Sequence, residues 1–187
     1  VNILRKKGAR AEGIAGEDIF VVKRKREIDP ATGETLDWGF VGEPFEVKCD
    51  AVMALVNDGV IPVVTPLGMG SDGKVHNVNA DSAAATLAKA VKARKLAFLT
   101  DVPGLLKDPS NPESIISTLK VSQASKLIKE GIIGGGMLPK IESCIEAINA
   151  GVKKIHLIDG RMPHSLLLEI FTTKGCLLYT SPSPRDS

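Results

Sequence analysis

Three short runs carry almost no charge: Val60-Ile-Pro-Val-Val-Thr65, Leu96-Ala-Phe-Leu-Thr100 and Lys154-Ile-His-Leu-Ile158. Apolar runs this short, bounded by turn residues, read as strands buried on both faces, the habit of parallel sheets. Pro62 moves the first toward an edge or a strand start. After these runs come segments with helical spacing. Ser82 to Ala93 is Ala-rich with Leu87 and Val91, and Ser122 to Glu130 is a second helix. Met137 to Ala150 repeats Leu138, Ile141, Cys144, Ile145 and Ile148, and Pro163 to Phe171 closes the series. Strands alternating with helices imply an α/β fold with a mainly parallel sheet.

The first half is more broken. Val1 to Gly8 reads as a helix end stopped by glycine. Ile19 to Val22 is a short strand, Asp29-Pro-Ala-Thr-Gly33 is turn chemistry, and Trp38 to Glu43 is a loop or a bulged strand. Phe45 to Asn57 has helical periodicity, with Gly59 as its C-cap. Gly68 to Lys74 is a hairpin-like loop. The basic cluster Lys23 to Arg26 is a solvated face or an attractor for anionic metabolites.

Composition excludes several classes. With 24 basic and 22 acidic residues the net charge is +2, too balanced for a nucleic-acid footprint. No apolar run approaches the ~18 residues of a membrane span. Three cysteines without a CxxC spacing fit reduced thiols and a cytoplasmic location, not a disulfide framework or a zinc site. The chain lacks an initiator Met, which leads to the expectation that it begins mid-gene.

The chemistry concentrates in Gly131-Ile-Ile-Gly-Gly-Gly-Met-Leu-Pro-Lys140. Four glycines in six residues exclude a helix or strand interior, yet a helix opens at once behind them. Such a turn presents backbone N–H groups at the positive end of a helix dipole, which suits a phosphate. Pro139 is tolerated in the first turn, and Lys140 stands in the same turn. The plainer reading is a helix–loop–helix link with a solvated lysine. A second polar stretch, His76-Asn-Val-Asn-Ala-Asp81, precedes the Ala-rich helix. Asn79 or Asp81 can cap that helix, but Asn77, Asn79 and Asp81 together exceed what one cap needs. His76 is expected at the surface. Asp101-Val-Pro-Gly104 follows an uncharged strand, where open α/β sheets bind ligands, or it is an ordinary turn.

The motifs GFVGE (Gly39–Glu43), NVNAD (Asn77–Asp81), LTDVPGLL (Leu99–Leu106), GIIGGGMLPK (Gly131–Lys140) and IDGRMPHSLLLE (Ile158–Glu169) occur in one order. In that order and spacing the chain resembles the acetylglutamate kinases of the amino acid kinase family, from about Val1 to Gly175. The resemblance implies a three-layer α/β sandwich with a mainly parallel central sheet. It implies an acyl-amino-acid lobe over residues 1–93 and an ATP lobe over 94–175. The implied reaction is phosphoryl transfer from MgATP to the γ-carboxylate of N-acetyl-L-glutamate, in arginine biosynthesis. Lys140 matches the lysine that stabilises the transferring group, Asp81 the carboxylate that orients the catalytic lysines, and Asn77 a substrate-binding asparagine. Asp101, Val102, Pro103, Gly104, Leu105 and Leu106, with Ile132, Ile133 and Gly134, match segments around the nucleotide. The resemblance also implies a homo-oligomer, dimer or hexamer, and the PII signalling protein as a partner. The segment His164 to Glu169 resembles the arginine-sensitive branch, with His164 and Glu169 as effector contacts.

Two departures accompany it. The family's opening lysine and glycines, and its later Gly-Gly pair and Arg, have no counterpart here. Residues 176–187 replace a short family strand and are expected to form a disordered tail. Together these suggest a gene fragment without activity of its own. Other kinases of the family, for glutamate, aspartate, carbamate or UMP, and a non-catalytic small-molecule sensor on the same fold remain as alternatives.

Overall fold

The computed structural model describes residues 1–102, 104–108, 111, 114–116, 118–171 and 176–179; the side chains of residues 169, 170 and 176–179 lie outside the description. The chain divides into two compact units, Val1–Val91 and Lys92–Ser187. Both mix helices with parallel strand pairs, so the chain is α/β.

The first unit opens with helix α1 (Asn2–Lys6), ended at Gly8, whose φ of 84° suits glycine. Strand β1 (Ala11–Ile14) pairs in parallel with β4 (Ile61–Val64). Between them lie the short helix α2 (Gly16–Ile19), strands β2 (Phe20–Ile28) and β3 (Thr35–Val47), and helix α3 (Asp50–Asn57). Then follow β5 (Leu67–Gly70), β6 (Val75–Val78) and helix α4 (Ala80–Ala90). Strands β2, β3, β6 and β5 close into a small barrel, antiparallel and parallel pairings alternating around it. The turn between β2 and β3 is the one the residues announced: Asp29 accepts the Ala31 amide through Oδ1 at 2.8 Å, and Gly33 has φ 72°. The barrel is bulged where Trp38–Glu43 faces β2, with register shifts at Val21/Val22 and Arg24/Arg26.

Helical periodicity misleads at Phe45–Val47. These residues belong to β3, and Val47 pairs with Phe20; the helix starts only at Asp50. The competing signal is tertiary. Val47 packs on a core of Ile19, Phe20, Val22, Val52, Val78 and Ala83, and each such buried side chain stabilises by ~1.5–3 kcal/mol.

The second unit contains β7 (Lys95–Thr100), β8 (Thr118–Lys120), α5 (Val121–Lys129), α6 (Met137–Asn149), β9 (Lys154–Asp159), α7 (Ser165–Phe171) and β10 (Cys176–Tyr179). The strand order is β7-β9-β10-β8, with β7/β9 and β10/β8 parallel and β10/β9 antiparallel. Helix α6 buries Ile141, Cys144 and Ile148 of the stripe its spacing announced, with Ala147 beside them, while Leu138 and Ile145 are half-buried. Two expectations change. The uncharged run of β7 suggested an interior strand, but among the described residues β7 lies at one end of its sheet, with Leu99 60% exposed while Phe98 and Thr100 are buried. Cys176–Tyr179, expected in a disordered tail, forms β10: four residues suited to a pleated strand fill the gap between β9 and β8 and satisfy both their edges. Residues 180–187, the rest of that tail, lie outside the described residues. Among the described residues no helix is long and apolar enough to cross a membrane.

Candidate functional site

In the first unit, two of the sequence motifs become strand neighbours. Val41 of GFVGE pairs in parallel with Asn77, and Gly42 pairs with Val78. Asn77 is exposed, flanked by Val41 on one side and Leu67 on the other. Alternation along β6 sends His76 and Val78 inward and Val75 and Asn77 outward. Asn79 is committed to structure. Its Oδ1 accepts the amides of Asp81 at 3.0 Å and Ser82 at 3.1 Å, capping α4. Asp81 is thereby held in the first helical turn, half-buried, beside the cap that Asn79 provides.

His76 corrects the surface expectation: it is 1% exposed. Its Nε2 lies 3.2 Å from Asp72 Oδ1, and its ring stands 5.8 Å from that of Phe40. Two glycines make the room. A Cβ on Gly42 would come within 3.1 Å of His76 Cβ, and one on Gly70 within 2.6 Å of His76 Nε2. The hydrogen bond to His76 is the main reason the Asp72 carboxyl titrates below its usual range. The clue was available in the period-two pattern, which puts His76 on the same face as Val78.

In the second unit, the parallel strands β7 and β9 end side by side at Thr100 and Asp159. Thr100 Oγ1 donates to the Val102 carbonyl at 2.8 Å and accepts the Val102 amide at 3.2 Å, so the chain turns sharply and leaves Asp101 exposed. Gly104 takes φ 130°, a region closed to residues with a Cβ. Leu105 is buried and its carbonyl accepts the Ile116 amide at 2.8 Å, while Leu106 bridges to Ile115. Pro103 lies outside the described residues. Beside this segment, Asp159 grips Arg161 through two bonds, Nε to Oδ1 at 2.9 Å and Nη2 to Oδ2 at 2.8 Å. That pairing, with the Arg161 amide, pulls the Asp159 carboxyl down to about 2, and Asp159 in turn raises the guanidinium.

The glycine loop follows α5. Ile132 and Ile133 both donate their amides to the Leu127 carbonyl, and Ile133 is buried, so this pair anchors the loop. Gly134, Gly135 and Gly136 are exposed, and a Cβ at any of them would meet nothing within 4 Å. Among the described residues, the amides of these three glycines make no hydrogen bond. They sit directly before a 13-residue helix. An open run of unpaired amides at a helix N-terminus is a cradle for an anion. Lys140, half-buried in the first turn of α6, places its Nζ 5.4 Å from the centre of the Phe98 ring. That ring was not singled out from the sequence, where it reads as one more apolar strand residue. His164 is exposed with φ 59°, and its carbonyl accepts the amides of Leu167 and Leu168, opening α7; the Glu169 side chain lies outside the described residues.

Comparison with known proteins bears on this arrangement. The model of the amino acid kinase family matches residues 2–159. The chain is 46% identical over 175 residues to an acetylglutamate kinase of Caldicellulosiruptor bescii, covering 94% of this chain and 59% of that protein. It is 43% identical over 180 residues to that of Heliobacterium modesticaldum, covering 94% and 61%. The chain thus spans about three fifths of the length of these relatives. Among solved structures, an N-acetylglutamate synthase from Neisseria gonorrhoeae, complexed with coenzyme A and L-arginine, superposes with a TM-score of 0.77 at 24% identity, over 92% of this chain and 38% of that one. Carbamate kinase from Giardia lamblia bound to AMP-PNP gives 0.71 at 17% identity, over 96% and 69%. These likenesses establish the fold. The family model, covering all but the last part of the chain and both motif-bearing units, shows that the chain belongs to the amino acid kinase family.

Proposed function

We propose that this chain is the greater part of a kinase that transfers the γ-phosphoryl group of MgATP to the γ-carboxylate of N-acetyl-L-glutamate. The observation that carries the reading is the run of three open amides at Gly134–Gly136 with Lys140 one turn into α6. The acceptor is the one named by relatives 43–46% identical over nearly all of this chain.

In this reading a carboxylate oxygen of the acceptor attacks the γ-phosphorus, and the bond to the bridging oxygen of ADP breaks. The donor and acceptor oxygens stay roughly in line, and negative charge spreads over the equatorial oxygens. Lys140 and the glycine amides neutralise that charge without moving at the moment of reaction. Ile132 and Ile133 hold the loop from beneath. Asp101, Val102, Gly104, Leu105 and Leu106, anchored through Thr100 and Ile116, form the wall for the nucleotide, and Mg2+ arrives with its phosphates. Asn77 binds the acceptor, and Asp81 orients ammonium groups at the reaction centre. Arginine as an effector near His164 and Glu169, a homodimer or hexamer, the PII signalling protein as partner and a cytoplasmic location belong to the same proposal.

The test is a coupled ADP-release assay on the complete gene product with N-acetyl-L-glutamate, glutamate, aspartate, carbamate and UMP as acceptors. Turnover restricted to N-acetyl-L-glutamate supports the reading. Preference for another acceptor moves the protein to another branch of the family. Nucleotide binding without turnover on any of them makes it a sensor.

A further inference from the structure

Strands β7 and β9 run in parallel and stop on the same rung, Thr100 beside Asp159. Their exit turns are fused. The Gly160 amide donates to the Thr100 carbonyl at 2.8 Å, and a Cβ on Gly160 would stand 3.2 Å from that oxygen. Asp101 leaves one strand end and Arg161 lies just past the other, with neighbouring strands ~4.8 Å apart. Asp159, mostly buried, accepts the Arg161 amide at 3.0 Å and the guanidinium Nε and Nη2 through both carboxylate oxygens. The plane of the guanidinium is therefore set from behind, while its outer side is exposed. Asp101, also exposed, is close enough for its charge to raise the guanidinium further, after the larger effect of Asp159.

We propose that Arg161 is a positioning residue for Asp101: locked by Asp159, its guanidinium holds the Asp101 carboxylate at the carboxyl ends of β7 and β9 as the acceptor for the ribose hydroxyls of the nucleotide. The inference rests on the nucleotide reading of this unit. The sign of the patch selects the ligand group. Two carboxylates around one guanidinium leave it net negative, which repels a phosphate and suits a hydroxyl donor. The phosphates have a cradle of the opposite polarity at Gly134–Gly136. Open α/β sheets take nucleotides outside the carboxyl ends of their strands, and a carboxylate is a ribose acceptor there. An exposed aspartate on a turn has several rotamers, and a planar, clamped fork beside it favours one. A lysine would supply the charge without the fork.

The experiment titrates the complete gene product by calorimetry with MgADP and with the magnesium salt of dideoxy-ADP, which lacks both ribose hydroxyls. The proteins are the wild type, Asp101→Asn, Arg161→Gln and Arg161→Lys. The wild type is expected to prefer MgADP by about tenfold or more, the worth of a hydrogen bond to a charged group. Asp101→Asn and Arg161→Gln each cut that preference severalfold and bind dideoxy-ADP as the wild type does, and Arg161→Lys falls between. A role confined to holding the two turns together would lower both affinities alike and keep the preference, and that result overturns the proposal. Where Arg161→Gln fails to fold, Arg161→Lys takes its place, and an undiminished preference in it overturns the proposal equally. A wild type that binds both nucleotides with the same affinity removes the role of Arg161 and leaves the nucleotide reading standing. A wild type that binds neither overturns the proposed function and the positioning role with it.

Discussion

Gly42 lies flush against Val22: a Cβ on Gly42 would stand 2.7 Å from the Val22 Cγ2 and 2.9 Å from its Cβ. Val22 is 1% exposed in the barrel core and has nowhere to retreat. Gly42→Ala is therefore expected to destabilise the first unit by ~1–3 kcal/mol, the cost of overpacking. Gly39→Ala meets open space and pays only for its φ of 68°, ~1–2 kcal/mol. Urea unfolding of the two variants separates steric cost from backbone strain. A neutral Gly42→Ala contradicts the packing described here.

Asn79→Ala removes the acceptor of the Asp81 and Ser82 amides. The expected loss is ~1 kcal/mol, recovered by Asn79→Asp, which restores an acceptor and adds charge at the right end of the helix dipole. Thermal unfolding of the pair is the measurement. Equal losses for both substitutions would show that the cap is not what matters at this position.

Asp159 titrates at about 2 in the folded chain, chiefly because Arg161 hydrogen-bonds its carboxylate, against ~3.9 when unfolded. A depressed carboxylate stabilises fully above pH ~4, and that contribution is lost as pH falls through about 2. Arg161 faces solvent while the Asp159 side chain is 10% exposed; a pair with one partner in water contributes little to stability, and the carboxyl shift is the better readout. Carboxyl 13C titration should find Asp159 far below the other aspartates, and Arg161→Gln should return it toward the ordinary range. An unmoved titration would break the assignment of cause.

Lys140→Met, in the complete gene product, is expected to lower turnover about a hundredfold, ~3 kcal/mol of lost transition-state stabilisation, while nucleotide affinity changes much less. Steady-state kinetics beside direct binding make the comparison. Unchanged turnover removes Lys140 from the chemistry.

Arginine is expected to inhibit the complete gene product, and Glu169→Ala to weaken that inhibition by tenfold or more, since a carboxylate pairs strongly with a guanidinium when the contact is bidentate. Titration of both proteins at fixed substrate decides it. Insensitivity of the parent, or equal inhibition of the variant, ends the regulatory reading of α7.

How much of this was legible varies with how local the cause is. The cap at Asn79, the turn at Asp29–Gly33 and the buried stripe of α6 depend on neighbours in sequence, and each was readable from residue types and spacing. Phe45–Val47 was not, because its fate is set by pairing with β2 more than twenty residues away. The barrel closure between β2 and β5 is less local still. His76 was readable from alternation, but a lone histidine beside Asn77 looked polar enough to be outside. At the glycine loop, residue types announced a turn that opens a helix, and the structure shows that turn with three amides that make no hydrogen bond among the described residues; the Phe98 ring by Lys140 comes from a strand some forty residues earlier and left no mark in the spacing.

The place of β10 has a kinetic consequence. Strands β8 and β9 are not neighbours; they are joined only through β10, which follows both in the chain. During synthesis β8 is complete at Lys120, but its partner arrives only with Tyr179, about 60 residues later. At roughly 5–20 residues per second that is a wait of about 3–12 seconds. Through that interval both edges of β8 are open, while every strand of the barrel in the first unit has already been made. The ribosome thus holds a nascent chain whose earlier half can close and whose later sheet cannot, and a chaperone that shields strand edges would find its target at Thr118–Lys120.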